Sequence, residues 1–267
     1  MRAYISVLRL SIVNGIQYRT AALAGMATQF FWGFIFIMIY EAFYSSTAAA
    51  QPISLSQLVT YIWLQQAFLV FIMLWFRDNQ LFSLITSGNI AYELCRPCGL
   101  YGFWYSKLLA QRLSGALLRC LPILIAAFLL PRPYRLGLPP DLSTLLLFIA
   151  ALIMGLLVLV SISMFIYIVT FITMSPAGSL LMISITGEFF AGLVIPVPLM
   201  PGWLQKIAYM LPFRLAADFP FRIYSGHIPH KEAFAGILIQ VIWLAVLVLL
   251  GNLSMNRVLR KVVAQGG

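Results

Sequence analysis

The chain has 267 residues, 62% of them hydrophobic and only 9% charged, with a mean hydropathy of +0.97 and a formal net charge of +10. A soluble domain of this size would expose far more apolar surface than water tolerates, so the composition excludes a soluble globular protein and indicates a polytopic membrane protein. The positive charge is assigned to topology and to anionic headgroups, because nucleic-acid binding would need a folded basic domain for which the chain has no room.

A helix needs about 20 apolar residues to cross about 30 Å of hydrocarbon, and backbone polar groups in lipid must be satisfied within the segment, so the expected fold class is all-α. Residues 1–19 lack the unbroken apolar run and cleavage site of a signal peptide. Ile5, Leu8, Ile12 and Ile16 share one helical face flanked by Arg2, Arg9 and Arg19, the pattern of an interfacial helix. Val7 and Leu10 dilute its polar face, and a cytoplasmic extension of the first span is the alternative. Six spans are expected, at 20–43, 57–76, 107–130, 142–174, 178–196 and 233–253. The fourth holds no turn signal, so it is expected to be one long helix that tilts or projects from the membrane.

In the first span Gly25, Gln29 and Gly33 recur at four-residue steps, which suits close helix packing, with Gln29 able to bridge between helices or to line a polar route. Gln65 and Gln66 in the second span are similar, one of them expected to face a polar cavity. Arg119 in the third span can snorkel or pair with an acid. Glu188 is the acidic residue deep in the fifth span, beside the small pair Gly187 and Ala191. Ionised in lipid it would cost about 2.5 kcal/mol or more, so it must face protein or water, either as a substrate-pathway or gating residue or as a buried hydrogen-bonding group.

With the N-terminus inside, the inner flanks carry Arg2, Arg9, Arg19, Arg77, Arg96, Lys107, Arg112, Arg257, Arg260 and Lys261, against Arg132, Arg135, Lys206, Arg214, Arg222 and Lys231 outside. The balance places both termini in the cytoplasm. The outer segment contains Arg214 and Arg222 around Asp218, which suits either anionic headgroups and substrates or a local ion pair.

Two segments carry more specific patterns. Between the second and third spans, Arg77 to Ile90 reads RDNQLFSLITSGNI, followed by Tyr92-Glu93-Leu94-Cys95-Arg96-Pro97. A short helix with Leu81 and Ile85 on one face, stopped by Gly88, would offer an apolar knob with polar edges to a soluble partner; an amphipathic helix lying on the membrane is the plain alternative. Before the last span, Ile195-Pro196-Val197-Pro198-Leu199-Met200-Pro201-Gly202-Trp203 leads to Leu211-Pro212-Phe213, where closely spaced prolines cannot continue a helix. The chain is expected to turn back near Pro198 to Pro201 and to run through short helices to Pro220.

These segments, in this order along nearly the whole chain, resemble ABC-2 type permeases with the type-2 exporter fold, in the short six-helix subfamily once grouped as a domain of unknown function. The resemblance implies a single transmembrane domain over 1–267, with an N-terminal interfacial helix at 1–19, a cytoplasmic coupling loop at 77–106 and an extracytoplasmic re-entrant hairpin region at 196–232. It assigns Leu81, Ile85, Ser87, Gly88 and Ile90 to coupling with an ATPase subunit, and Pro196, Pro198, Pro201, Trp203 and Pro212 to the hairpin. It also implies a second permease subunit, identical or paralogous, in a bacterial-type cytoplasmic membrane, with ATP and Mg on the partner ATPase and no cofactor on this chain.

The sequence has no G-x-x-x-x-G-K-[S/T] phosphate loop, no H-E-x-x-H and no G-x-S-x-G, so no catalytic site is expected. Cys95-Arg96-Pro97-Cys98 lacks the further ligands of a zinc site and the βαβ setting of a redox motif, and His227 and His230 are read as loop residues, so no metal is expected. The expected function is export of an amphipathic or lipid-like substrate from the cytoplasm or inner leaflet. An ion-coupled secondary transporter or scramblase without an ATPase, with Glu188 as its coupling carboxylate, is the alternative.

Overall fold

Long apolar runs fold here as long helices despite single internal breakers such as Pro122 and Gly155, and the breaks between them are built from capping side chains and bonds made by distant residues. The computed structural model describes residues 19–46 and 51–261, together with residues 6, 9, 10 and 13. The expected interfacial helix at 1–19 lies almost wholly outside the described residues; of it, Ser6, Arg9, Leu10 and Val13 are helical and exposed.

Among the described residues the chain forms α1 (Arg19–Ser46), α2 (Leu55–Ala67), α3 (Leu69–Ile72), α4 (Asn79–Thr86), α5 (Ala91–Leu94), α6 (Leu100–Leu129), α7 (Leu142–Thr173), α8 (Pro176–Phe190), α9 (Gly202–Met210), α10 (Asp218–Tyr224) and α11 (His230–Leu259). Two single 3-10 turns, Val197–Leu199 and Phe213–Leu215, lie on either side of α9. Among the described residues four helices are long and apolar enough to cross a membrane: Gly25–Ser46 of α1, and α6, α7 and α11.

The run expected to tilt is the single 32-residue helix α7. Asp141 caps its start, accepting from the Thr144 amide at 2.6 Å. The Ser143 hydroxyl and that amide hold the exposed Asp141 carboxyl down at about 2. At its other end Met174 takes a left-handed conformation (φ 51°), and Ser175 then caps α8 with Pro176 in the first turn, so the chain reverses within two residues. α7 is the central helix, packed against α6, α8, α10 and α11.

Two expected spans differ from their sequence reading. The second, 57–76, breaks at Phe68 between α2 and α3 and is irregular beyond Ile72. The fifth, 178–196, is α8 alone, whose 15 residues end at Phe190 and rise about 22 Å. The helix of the third expected span, α6, begins at Leu100, so residues 100–106 of the expected coupling loop belong to it.

The elements sort between two ends. One holds Ser46, the 131–141 loop and the segment from Gly192 to Pro229, joined where Gln57 Nε2 donates to the Ser225 carbonyl (3.3 Å), Trp63 Nε1 to the Tyr134 carbonyl (2.7 Å) and the Gly137 amide to Thr60 Oγ1 (3.0 Å). The opposite end holds α4, α5, the α7–α8 reversal and the end of α11, around a cavity of about 520 Å³ lined by Ile85, Gly88, Phe171, Met174 and Arg257 among others.

Candidate functional site

Asp78 starts α4. Its carboxylate accepts from the Gln80 and Leu81 amides at 2.8 and 3.4 Å, giving the orphan donors of the first turn a partner. The same carboxylate meets Lys107 Nζ at 2.8 Å and Gln111 Nε2 at 2.7 Å, both on α6, while the Asp78 amide donates to the Tyr167 hydroxyl on α7 at 2.9 Å. Burial alone would raise the acid's pKa, but Lys107 and Gln111 outweigh it and hold the group below the usual carboxylate range. Gly88, at φ 74°, ends the element, and α5 follows with an Arg96–Glu93 pair at 2.9 Å. α4 is thereby fastened to two long helices through one buried residue.

The sequence reading had Leu81 and Ile85 as an outward apolar knob, and the structure corrects this. Leu81 is 1% and Ile85 3% exposed, and Ile90 is fully buried; with Phe82 they pack into the chain's own core against Trp104, Met164 and Tyr167. An eight-residue helix with one apolar face buries that face against the nearest apolar surface, which here is α6 and α7. The surface left to a partner is polar: Gln80, Ser83, Thr86 and Asn89 are exposed, Ser87 and Gly88 half-buried, and the exposed apolar groups are Tyr92 and Leu94 of α5.

The link from α3 to α4 is held by two charged side chains, Arg112 fully buried and Glu188 half-buried. Arg112 of α6, fully buried, donates through Nη1 to the carbonyls of Val70 (3.0 Å) and Met73 (2.8 Å), and through Nη2 to that of Phe76 (3.3 Å) and to Ser163 Oγ (3.1 Å). Glu188 of α8 accepts the Leu74 and Trp75 amides on one carboxylate oxygen, at 3.1 and 3.2 Å. The cation takes the carbonyls of the ended helix and the anion takes the free amides, so irregular backbone persists in an apolar setting. Between the two sequence readings of Glu188, its observed contacts are those of a hydrogen-bonding group. Arg112, counted in the sequence only as an inner-flank charge, is its counterpart; a cation inside an expected span was the available signal.

The other polar span residues are separate from this clamp. Gln65 Nε2 donates to the Leu193 carbonyl at 2.8 Å, and Gln29 is buried with its carbonyl oxygen unpartnered. Gly33 lies against Trp63, and Gly25 against the Arg119 guanidinium, where an added Cβ would stand 3.0 Å from Nη1.

No single helix runs from Pro196 to Leu211. After α8, Gly192 (φ 81°) turns the chain, and its carbonyl accepts from the Tyr61 hydroxyl at 3.0 Å. Pro196 and Pro198 shape the first 3-10 turn, Pro201 precedes α9, and Pro212 opens the second turn; Trp203 stays exposed. Gln205 Nε2 closes the loop onto the Pro198 and Met200 carbonyls at 3.0 and 2.7 Å. Gln240 of α11 bridges the Ala151 and Leu215 carbonyls at 2.9 and 2.8 Å, tying the second turn to α7. Of the two histidines, His230 Nε2 meets Thr144 Oγ1 at 2.9 Å and Asp141 at 3.5 Å, and among the described residues no three His, Cys, Asp or Glu gather to hold a metal.

Neither the curated proteins nor the solved structures give a match to this chain. A family model described as ABC-2 family transporter protein matches residues 30–266, which takes in the fastened α4, the clamped link and the proline-broken segment alike. The chain is a multi-pass membrane protein, a transport component and not itself a catalyst, and it belongs to the ABC-2 transporter family.

Proposed function

We propose that this permease is one of two such subunits, identical or paralogous, in an ABC exporter that carries an amphipathic or lipid-like substrate from the cytoplasm or inner leaflet outward. The observation that carries this reading is the fastening of α4: a short helix at one end, joined through Asp78 to α6 and α7, can pass a push from a soluble subunit to two long helices without dissipating it in a loose loop. The family's ABC ATPase supplies ATP and Mg chemistry, and it docks on the polar face of α4 with Tyr92 and Leu94.

In this reading the crossings are α1, α2 with α3, α6, α7, α8 and α11, in a bacterial-type inner membrane with both termini cytoplasmic, and the segment from Pro196 to Lys231 is the re-entrant hairpin at the outer mouth. The exposed apolar side chains of α1, α7 and α11 then face lipid. That Glu188 accepts two backbone amides through one carboxylate oxygen supports a structural part for it over the coupling carboxylate of the ion-coupled alternative. The test is reconstitution of the chain with its copurifying ATPase in vesicles holding a fluorescent phospholipid. ATP-dependent outward movement is expected, and movement that is indifferent to ATP but follows an ion gradient would overturn the reading.

A further inference from the structure

The proline-broken segment buries more positive charge than it neutralises. Arg214 and Arg222 are each 8% exposed and Asp218 is fully buried. Asp218 Oδ2 is taken by Arg222 Nη1 at 3.2 Å, and the same Nη1 donates to the Tyr209 hydroxyl at 2.9 Å. Arg214 stacks over the Tyr209 ring, 4.1 Å from its centroid, and among the described residues its guanidinium makes no hydrogen bond, its Nε being buried and unpartnered. Its backbone cannot retreat: the next carbonyl is held by Gln240, and Gly155 of α7 lies so close that an added Cβ would stand 2.8 Å from that oxygen. The Asp218 carboxylate faces both guanidinium groups but is bonded to Arg222, so two largely buried cations share one anion and Arg214 keeps a ring contact without a hydrogen-bonded anion of its own.

A second copy of the chain is poorly equipped to supply that anion. Of its seven acidic residues, Glu41 accepts from the Tyr134 hydroxyl, Asp78 meets Lys107, Glu93 meets Arg96, Asp141 caps α7, Glu188 holds Leu74 and Trp75, and Asp218 holds Arg222. Glu232 alone is left. Beside the cluster, Trp203, Ile207 and Met210 form an exposed apolar stripe along α9, and Tyr209 opens to the surface. We infer that Arg214, with Tyr209 and Arg222, forms a binding site for an anionic oxygen headgroup, a phosphate above all, whose apolar tails lie along the α9 stripe. A planar guanidinium fork matches two phosphate oxygens at once, which an ammonium does not. That the headgroup comes from the outer leaflet rests on the orientation proposed above; the chemistry of the site does not.

The test uses the full-length chain in phosphatidylcholine nanodiscs containing a minor fraction of phosphatidylglycerol, where both faces are accessible and orientation plays no part. Native mass spectrometry is expected to show phosphatidylglycerol retained on the wild type, at least about tenfold less on Arg214→Gln, and an intermediate amount on Arg214→Lys. In discs without anionic lipid, an increase in melting temperature on adding inorganic phosphate to the wild type but not to Arg214→Gln would identify a free anion as the ligand. A photoreactive anionic phospholipid should label the wild-type peptide containing Trp203 to Arg214, a readout that needs no variant to fold. Equal lipid retention in wild type and Arg214→Gln with no phosphate effect, or wild-type labelling confined to other segments, would overturn the inference.

Discussion

Glu188 and Arg112 show how an intramembrane charge can be structural without pairing directly with its opposite. Each binds backbone, so the role expected of each is to keep the Val70–Phe76 stretch in its broken form. Glu188→Gln retains an oxygen that accepts both amides and loses the charge assistance. It should cost about 1–2 kcal/mol in a detergent melt and leave export near the wild-type rate; abolished export with an unchanged melt would return Glu188 to the transport pathway. Arg112→Lys keeps the charge but lacks the fork that reaches Val70, Met73, Phe76 and Ser163 together, and a loss of about 2–4 kcal/mol is expected. Asp78 sets a pH dependence. Its folded pKa is depressed, so its contribution is complete above the unfolded value of about 3.9 and is lost as pH falls through the folded value. Asp78→Asn should therefore flatten the acid limb of the stability–pH curve measured by the same melts.

At the level of elements, the break in the second expected span was invisible in the sequence for a definite reason. Residues 68–77 read FLVFIMLWFR, with neither glycine nor proline, so local chemistry favours a continued helix and only bonds from α6 and α8 interrupt it. The break in helix between Phe190 and α11 was legible because its breakers are local: Gly192, Pro196, Pro198, Pro201 and Pro212 act wherever they stand. α4 falls between these cases. Its existence followed from the spacing of Leu81 and Ile85 and from Gly88, but which face it buries depended on what lies beside it, and periodicity cannot distinguish a core from a partner. Replacing Leu81 and Ile85 with Asp is consequently expected to reduce the yield of folded permease rather than release an ATPase cleanly, by about 3 kcal/mol or more. The interface should instead respond to Ser83→Arg with Tyr92→Ala, which should reduce ATPase copurification while the permease melts normally. Copurification unchanged by this double variant would remove α4 and α5 from the interface.

For the whole molecule, the two ends make orientation testable with a native reporter. Cys95 is exposed beside α5, while Cys98 and Cys120 are half-buried. In sealed cells a membrane-impermeant maleimide should leave the wild type unlabelled and should label it once the cytoplasmic side is opened. Leu138→Cys, exposed at the opposite end, should react from outside. Labelling of Cys95 in intact cells would invert the topology and, with it, the coupling role of α4.

The clamp also imposes an order on biogenesis. The Leu74 amide and the carboxylate that receives it are 114 residues apart, so the second crossing leaves the ribosome and meets the insertion machinery long before its partner on α8 exists. At that stage residues 68–76 are an apolar run with neither glycine nor proline, which local propensity alone would continue as a helix, and the break is expected to form only once Arg112 and Glu188 are in place. A nascent chain arrested before Pro176 should hold Phe76 deeper in the bilayer than the finished protein does. The shape of the segment leading to α4 would then be settled only once α8 has been made, which would withhold the proposed ATPase docking face from chains arrested before that point.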